Sequence, residues 1–278
     1  MKKKAEYLSA LVETVQHGGT LVVAGVGSGI TARGARLGGA DLLATYNTAV
    51  YRIQGLPTAM AFLPYDDCNT LAFAALPQVL AAAGETPVLL GIGAHDPRKN
   101  LEQLVEQARA CGAAGVTNEP FIGMYEGDIR RQMEAAGLGF SREVDLIRAA
   151  AKADMLTLAY VFTPEEAVEM AYAGADMIGA MVGGVTSGGA AGGAETVGLE
   201  EAVEVTERIN AALKRAGRAC PVLVHGGPLN DVAPVQHVLN VTEAVGYVTG
   251  STGERLPTEQ AVKDKISSFK SIRKEKSV

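Results

Sequence analysis

From Thr20 to Lys270, short apolar runs alternate with longer stretches in which apolar residues recur every three or four positions. That alternation is the mark of βα units laying down a parallel sheet. The runs predict eight strands: β1 at Thr20–Ala24, β2 at Leu42–Thr45, β3 at Val88–Gly91, β4 at Gly115–Asn118, β5 at Leu156–Tyr160, β6 at Met177–Ala180, β7 at Val222–His225 and β8 at Gly246–Thr249. They are aliphatic on both faces, as strands covered on both sides must be. The clearest helical stretches are Cys68–Ala82, Leu101–Cys111, Asp128–Ala136, Pro164–Ala173, Leu199–Arg215 and Pro257–Lys270. An extra helix falls at Ser141–Lys152, between the fourth and fifth units.

A turn repeats ahead of alternate strands: Leu37-Gly38-Gly39-Ala40-Asp41, Cys111-Gly112-Ala113-Ala114-Gly115 and Ala173-Gly174-Ala175-Asp176. In each, a glycine ends a helix, where the left-handed conformation carries no steric penalty. One unit repeated eight times predicts an α/β fold, a closed (β/α)₈ TIM barrel, with an open doubly wound sheet as the alternative. The 278 residues suit one such domain, which typically needs roughly 250. The expected domain is 1–278, with its core at about 18–270.

With 47% apolar residues, 5% aromatic and no Trp, the core must be aliphatic. The net charge of −6 gives no support to nucleic-acid binding, which calls for a basic patch. The three cysteines form no C-x-x-C pair, so a disulfide framework and a thiolate metal site are both disfavoured. No run is long enough to span a bilayer, and the start reads as an amphipathic helix, so the expected compartment is cytoplasmic. Ala-rich helix faces and an acidic surface are compatible with a homo-oligomer.

In a (β/α)₈ barrel the active site lies at the carboxyl ends of the strands. The turns before the strands are bland, and the segments after them are polar. After β1, Gly25-Val26-Gly27-Ser28-Gly29 resembles a dinucleotide fingerprint, but Ile30 stands where the third glycine belongs. The remaining readings are a backbone turn offering N–H groups of Gly27 and Ser28 to an anion, or a tight turn only. After β2 come Tyr46, Asn47, Arg52, Asp66 and Asp67. Arg52 can clamp a carboxylate or phosphate through its planar fork, while Asp66 and Asp67 either act at the site or cap the next helix. After β3, His95 and Asp96 form an acid–base candidate pair.

After β4 comes Glu119, placed to point over the mouth. Carboxylates after β2, β3 and β4, namely Asp66, Asp67, Asp96 and Glu119, can together hold a hard cation such as Mg²⁺. Met181–Gly198, with seven glycines, reads as a lid. His225 ends β7 as a second acid–base candidate. The glycine-bearing loops at Gly226-Gly227 and Gly250-Ser251-Thr252 stand after strands seven and eight, where such barrels frequently bind phosphate.

The blocks Val26–Ala32, Tyr46-Asn47 with Arg52, Leu63–Asp67, Cys220–Pro228 and Gly250–Pro257 resemble the phosphoenolpyruvate hydrolase-like TIM-barrel family. They also resemble the carboxyl-terminal barrel of tobamovirus-resistance-type proteins. The resemblance runs over Lys4 to Lys270. That family is related to the phosphoenolpyruvate mutase and isocitrate lyase superfamily, which implies a 2-oxo acid or enol phosphate bound with Mg²⁺. Two departures stand out. Ala94 occupies the first position of the superfamily's Asp-x-Asp ahead of Asp96, and the Lys-Lys-Cys-Gly motif of isocitrate lyases is missing.

The expected function is an enzyme acting on a small anionic 2-oxo acid or phosphoenolpyruvate-like substrate, by hydrolysis or by C–C or C–P cleavage, Mg-assisted. The alternative is a non-catalytic barrel that binds a metabolite or protein and signals. An indole-glycerol-phosphate-type barrel fits less well, since no Lys ends a strand.

Overall fold

The computed structural model describes residues 3–183 and 197–273. Eight parallel strands close in sequence order, β1 pairing with β8. They are β1 Leu21–Gly25, β2 Leu42–Thr45, β3 Val88–Gly91, β4 Gly115–Thr117, β5 Leu156–Val161, β6 Met177–Met181, β7 Val222–His225 and β8 Gly246–Thr249. The barrel is closed, which removes the open-sheet alternative.

Helix α1 (Lys4–Gln16) precedes the barrel. Then α2 (Gly29–Leu37) follows β1, α3 (Asn47–Ile53) and α4 (Cys68–Ala83) follow β2, and α5 (Leu101–Ala110) follows β3. After β4 come α6 (Gly127–Ala135) and α7 (Phe140–Lys152), and after β5 comes α8 (Pro164–Ala173). The chain finishes with α9 (Leu199–Arg215), α10 (Val232–Val241) and α11 (Arg255–Lys270).

Local chemistry sets these boundaries. Ser28 and Thr31 form a capping box at the start of α2. Thr163 caps α8, Pro164 opens it, and Gly174 closes it in the left-handed region at φ 102°. The repeated turn does a second job at two places. Asp41 Oδ2 accepts the Val22 N–H and Asp176 Oδ2 accepts the Thr157 N–H, each at 2.8 Å. Each carboxylate thereby pins the start of its own strand to the strand before it.

Side chains alternate along each strand. Leu21, Val23, Leu42, Leu89, Leu158 and Leu223 fill the barrel, while Leu43, Leu90, Val116, Ile178 and Val224 pack outward under the helices. Full burial of each such aliphatic side chain contributes about 1.5–3 kcal/mol.

One helix breaks the pattern. Residues 257–270 of α11 are exposed on every side, and Val262, Ile266 and Phe269 lie at helical spacing on one face. The slot that a final helix would fill, between α10 and the outward faces of β8 and β1, is an open cavity of about 420 Å³ lined by Val22, Val235, Leu239 and Tyr247. Among the described residues no helix is long and apolar enough to cross a membrane. Most of the expected lid at Met181–Gly198 lies outside the described residues.

Candidate active site

The strand ends converge on a small cavity, about 40 Å³, at the barrel mouth. Arg52 and Thr48 reach it from α3, Glu119 from just past β4, His225 from the end of β7, and Gly250 and Ser251 from the loop after β8. Arg52 is buried, with its Cζ 5.5 Å from the centre of the Tyr46 ring. Its Nε donates to Glu254 Oε2 at 3.3 Å. The other Glu254 oxygen accepts the Gly27 N–H at 2.5 Å and the Thr31 hydroxyl at 2.8 Å. One buried carboxylate thus ties the loops after β1 and β8 to α3. Gly27 has to be glycine here, because a Cβ would lie 2.3 Å from the Ala49 carbonyl oxygen of α3.

Two charged side chains at the mouth keep unused polar atoms. Arg52 Nη2 and Glu119 Oε2 are buried and, among the described residues, make no hydrogen bond of normal geometry, although the Tyr46 hydroxyl lies close to the guanidinium and the Thr48 hydroxyl close to the carboxyl. The Thr58 hydroxyl is in the same condition, and the Tyr160 hydroxyl lies close to that of Tyr46. A buried polar atom without a partner costs about 1–3 kcal/mol, so a cluster of them marks a place where a polar ligand fits.

Burial sets the proton affinities. It pushes the Glu119 carboxyl up to about 7, against the pull of Arg52 and of the Thr48 hydroxyl. Burial also pushes His225 down to about 4, the Val248 carbonyl opposing and Arg52 assisting. His225 Nδ1 lies 2.7 Å from that carbonyl oxygen. A carbonyl only accepts, so Nδ1 carries the proton and Nε2 keeps a lone pair. For Arg52, burial opposes the charge, but Tyr46, Glu254 and Glu119 outweigh it and raise the pKa.

Asp66, Asp67, His95 and Asp96 lie in a second, wider cleft of about 590 Å³, separated from the mouth by Phe62 and Phe121, which line both. Its carboxylates are each engaged. Asp66 accepts the Tyr51 hydroxyl at 2.5 Å. Asp67 caps α4 through the Thr70 N–H and pairs with Lys99 at 2.9 Å. Asp96 takes both arms of Arg98 at 2.8 Å, which hold it at about 2. Burial lowers the His95 pKa.

The structure therefore gathers Tyr46, Arg52, Glu119, His225, Gly226, Gly250 and Ser251 around the mouth and leaves the remaining candidates apart. Gly27 meets Glu254, and Ser28 caps α2. The Asn47 amide donates to the Ala61 carbonyl, Thr252 pairs with the Tyr247 hydroxyl beside the open slot, and Gly227 packs on Val182. Two residues that sequence reasoning passed over are central. Glu254 was within reach of the strand-end rule, three residues past Ser251. Glu143, buried on α7, accepts the Ile122 N–H and the Asn118 amide at 2.5 Å each, and so fixes the loop that carries Glu119. Burial pushes its carboxyl up to about 8.

Comparison with known sequences matches residues 6–272 to the family described as phosphoenolpyruvate hydrolase-like. The chain belongs to that family. It is 36% identical over 274 residues to the ToMV resistance protein Tm-1(GCR237) of Solanum lycopersicum, covering 98% of this chain and 36% of that protein. The chain thus spans about a third of the length of that relative. In fold, it resembles phosphonopyruvate hydrolase in complex with oxalate and Mg++, with a TM-score of 0.61, 15% identity, and 96% and 89% of the two chains covered. It also resembles 2,3-dimethylmalate lyase, a PEP mutase/isocitrate lyase superfamily member, with a TM-score of 0.59, 17% identity, and 100% and 92% covered.

Magnesium fits the donors of this chain poorly. It prefers six oxygens in an octahedron, one or two of them carboxylates. Among the described residues the one carboxylate that lines the mouth, Glu119, faces the Arg52 guanidinium. Asp66, Asp67 and Asp96 are engaged as above, and among the described residues no group of three or more His, Cys, Asp or Glu is placed to hold a metal.

Proposed function

We propose that this family member is an enzyme acting on a small anionic 2-oxo acid or phosphoenolpyruvate-like substrate at the barrel mouth. The observation that carries the reading is the meeting of Arg52 Nη2 and Glu119 Oε2, both buried and without a hydrogen bond of normal geometry among the described residues, in one cavity with His225. Arg52 and the Gly250-Ser251 backbone would hold the substrate carboxylate and steady charge that develops on the adjacent oxygen. His225, neutral and presenting Nε2, would accept a proton. Glu119, poised near neutrality, would return one. That division suits a C–C cleavage or hydrolysis passing through an enolate. The test is a panel of 2-oxo acids and phosphoenolpyruvate, with pyruvate or oxalate release followed for the wild type, Arg52→Ala and His225→Gln. Turnover that survives both substitutions would remove the mouth from the chemistry.

The second reading, a non-catalytic binding module, draws on the chain's matching only about a third of Tm-1(GCR237). Thermal stabilisation by oxalate with no turnover across the panel would favour it.

We also infer that copies of the chain associate through α11. Most helical stability in proteins comes from packing an apolar face, and the exposed Val262–Ile266–Phe269 face of α11 matches in character the apolar slot beside α10. Reciprocal exchange would give a two-fold dimer. A Val235→Cys/Ile266→Cys chain should then form a covalent dimer on non-reducing gels. A disulfide within one chain would show α11 folding onto its own barrel instead. The three described thiols are unpaired, which suits the cytoplasmic compartment expected from the sequence.

A further inference from the structure

We propose that Arg52, tied through its Nε to Glu254, supplies the fixed positive charge that this site uses in place of a divalent cation. The inference rests on the mouth being the anion site proposed above, and adds what does the work of the metal there.

Three observations carry it. A guanidinium has several donors, and here one is used within the protein and one is left over. Nε donates to Glu254 at 3.3 Å, while Nη2, which shares one edge with Nε and the other with Nη1, is buried at the mouth and makes no hydrogen bond of normal geometry among the described residues. The charge is held rigidly, because Glu254 is itself fastened by the Gly27 N–H and the Thr31 hydroxyl. A divalent ion in so small a cavity would sit against this cation, with Glu119 as the one lining carboxylate among the described residues. Like charges at close range in a poorly solvated site repel strongly, and a planar fork presents paired donors to a carboxylate much as a metal presents a charge. At the end of β3, Ala94 is buried and offers no ligand, and Asp96 is turned to Arg98. The side chains that would have to recruit a metal are missing or engaged, and the one that makes a metal unnecessary is present. Glu254 acts through Arg52 and is a positioning residue.

The test uses the full chain, stripped with EDTA, and oxalate as the probe in isothermal titration with and without added Mg²⁺. The expected oxalate affinity is the same in both conditions to within about twofold, and Arg52→Ala weakens it by about tenfold or more. Added guanidinium at millimolar concentration should restore binding to Arg52→Ala but not to Arg52→Ala/Glu254→Ala, because the loose cation needs the Glu254 seat. A merely structural role for Glu254 would not produce that selective rescue. A wild-type affinity that rises about tenfold or more with Mg²⁺ would overturn the inference and leave the anion site standing. A wild type that takes up no oxalate in either condition would overturn both. The wild-type comparison decides the matter even if a variant fails to fold.

Discussion

Two clefts share the carboxyl-terminal face, and they treat their carboxylates in opposite ways. In the outer cleft, Asp67 and Asp96 each meet a Lys or Arg from a neighbouring position and stay ionised at the rim. At the mouth, Glu119 and Glu254 are buried around a single guanidinium, and part of that polar surface makes no hydrogen bond of normal geometry among the described residues. The outer cleft is the larger and holds more of the titratable residues that a sequence draws attention to. Its charges are nevertheless spent on one another. A site is marked by the polar groups a fold leaves over, and these are at the mouth.

The sharpest way to break the comparison is to remove Arg52. Arg52→Ala would weaken oxalate binding by about tenfold or more and also strand Glu254, a loss of about 3–5 kcal/mol on the scale of broken buried ion pairs. Chemical denaturation and calorimetry read the two effects separately. Arg52→Lys should recover part of the stability and little of the binding, since one ammonium cannot serve Glu254 and an anion together.

Next in size are the pH effects. The folded pKa of Glu119 is raised to about 7, so the folded state binds more protons than the unfolded one. The stability it contributes is present below the ordinary carboxyl value and is lost as pH rises through about 7. For His225 the folded pKa is depressed to about 4. Its contribution is present above the ordinary imidazole value and is lost as pH falls toward about 4. Glu119→Gln should flatten the alkaline fall in melting temperature, and His225→Gln the acid one. If neither slope changes, the two groups are not buried as described.

The smallest effect belongs to the outer cleft. Asp96→Ala should leave oxalate affinity and turnover at the wild-type level, because Asp96 is engaged with the exposed Arg98. A large loss in this variant would move the chemistry out of the mouth.

Much of the barrel was legible in the sequence, for a physical reason. A strand buried on both faces has to be a short aliphatic run, and a helix that ends at a tight turn needs a glycine. Val222–His225 carries both marks, following Gly217 at the end of α9, and it and Gly246–Thr249 match their expected limits. The site was legible only as a place. Rules about strand ends locate polar residues without saying which of them satisfy one another. Asp67 and Asp96 looked as available as Glu119, because the Lys99 and Arg98 partnerships are set by loop conformation. The strand-end rule reaches Glu254, but its role was hidden because its partners Gly27, Thr31 and Arg52 lie more than two hundred residues away and are brought together by barrel closure. α11 read as an ordinary final helix, since periodicity shows an apolar face but not what covers it.

The most direct test of the account is a crystal structure of the chain soaked with oxalate. The carboxylates should lie on Arg52 Nη2 beside Gly250 and Ser251, with Glu254 still bound to Nε. Oxalate seated instead among Lys99, Asp67 and Asp96, with the mouth closed, would contradict it.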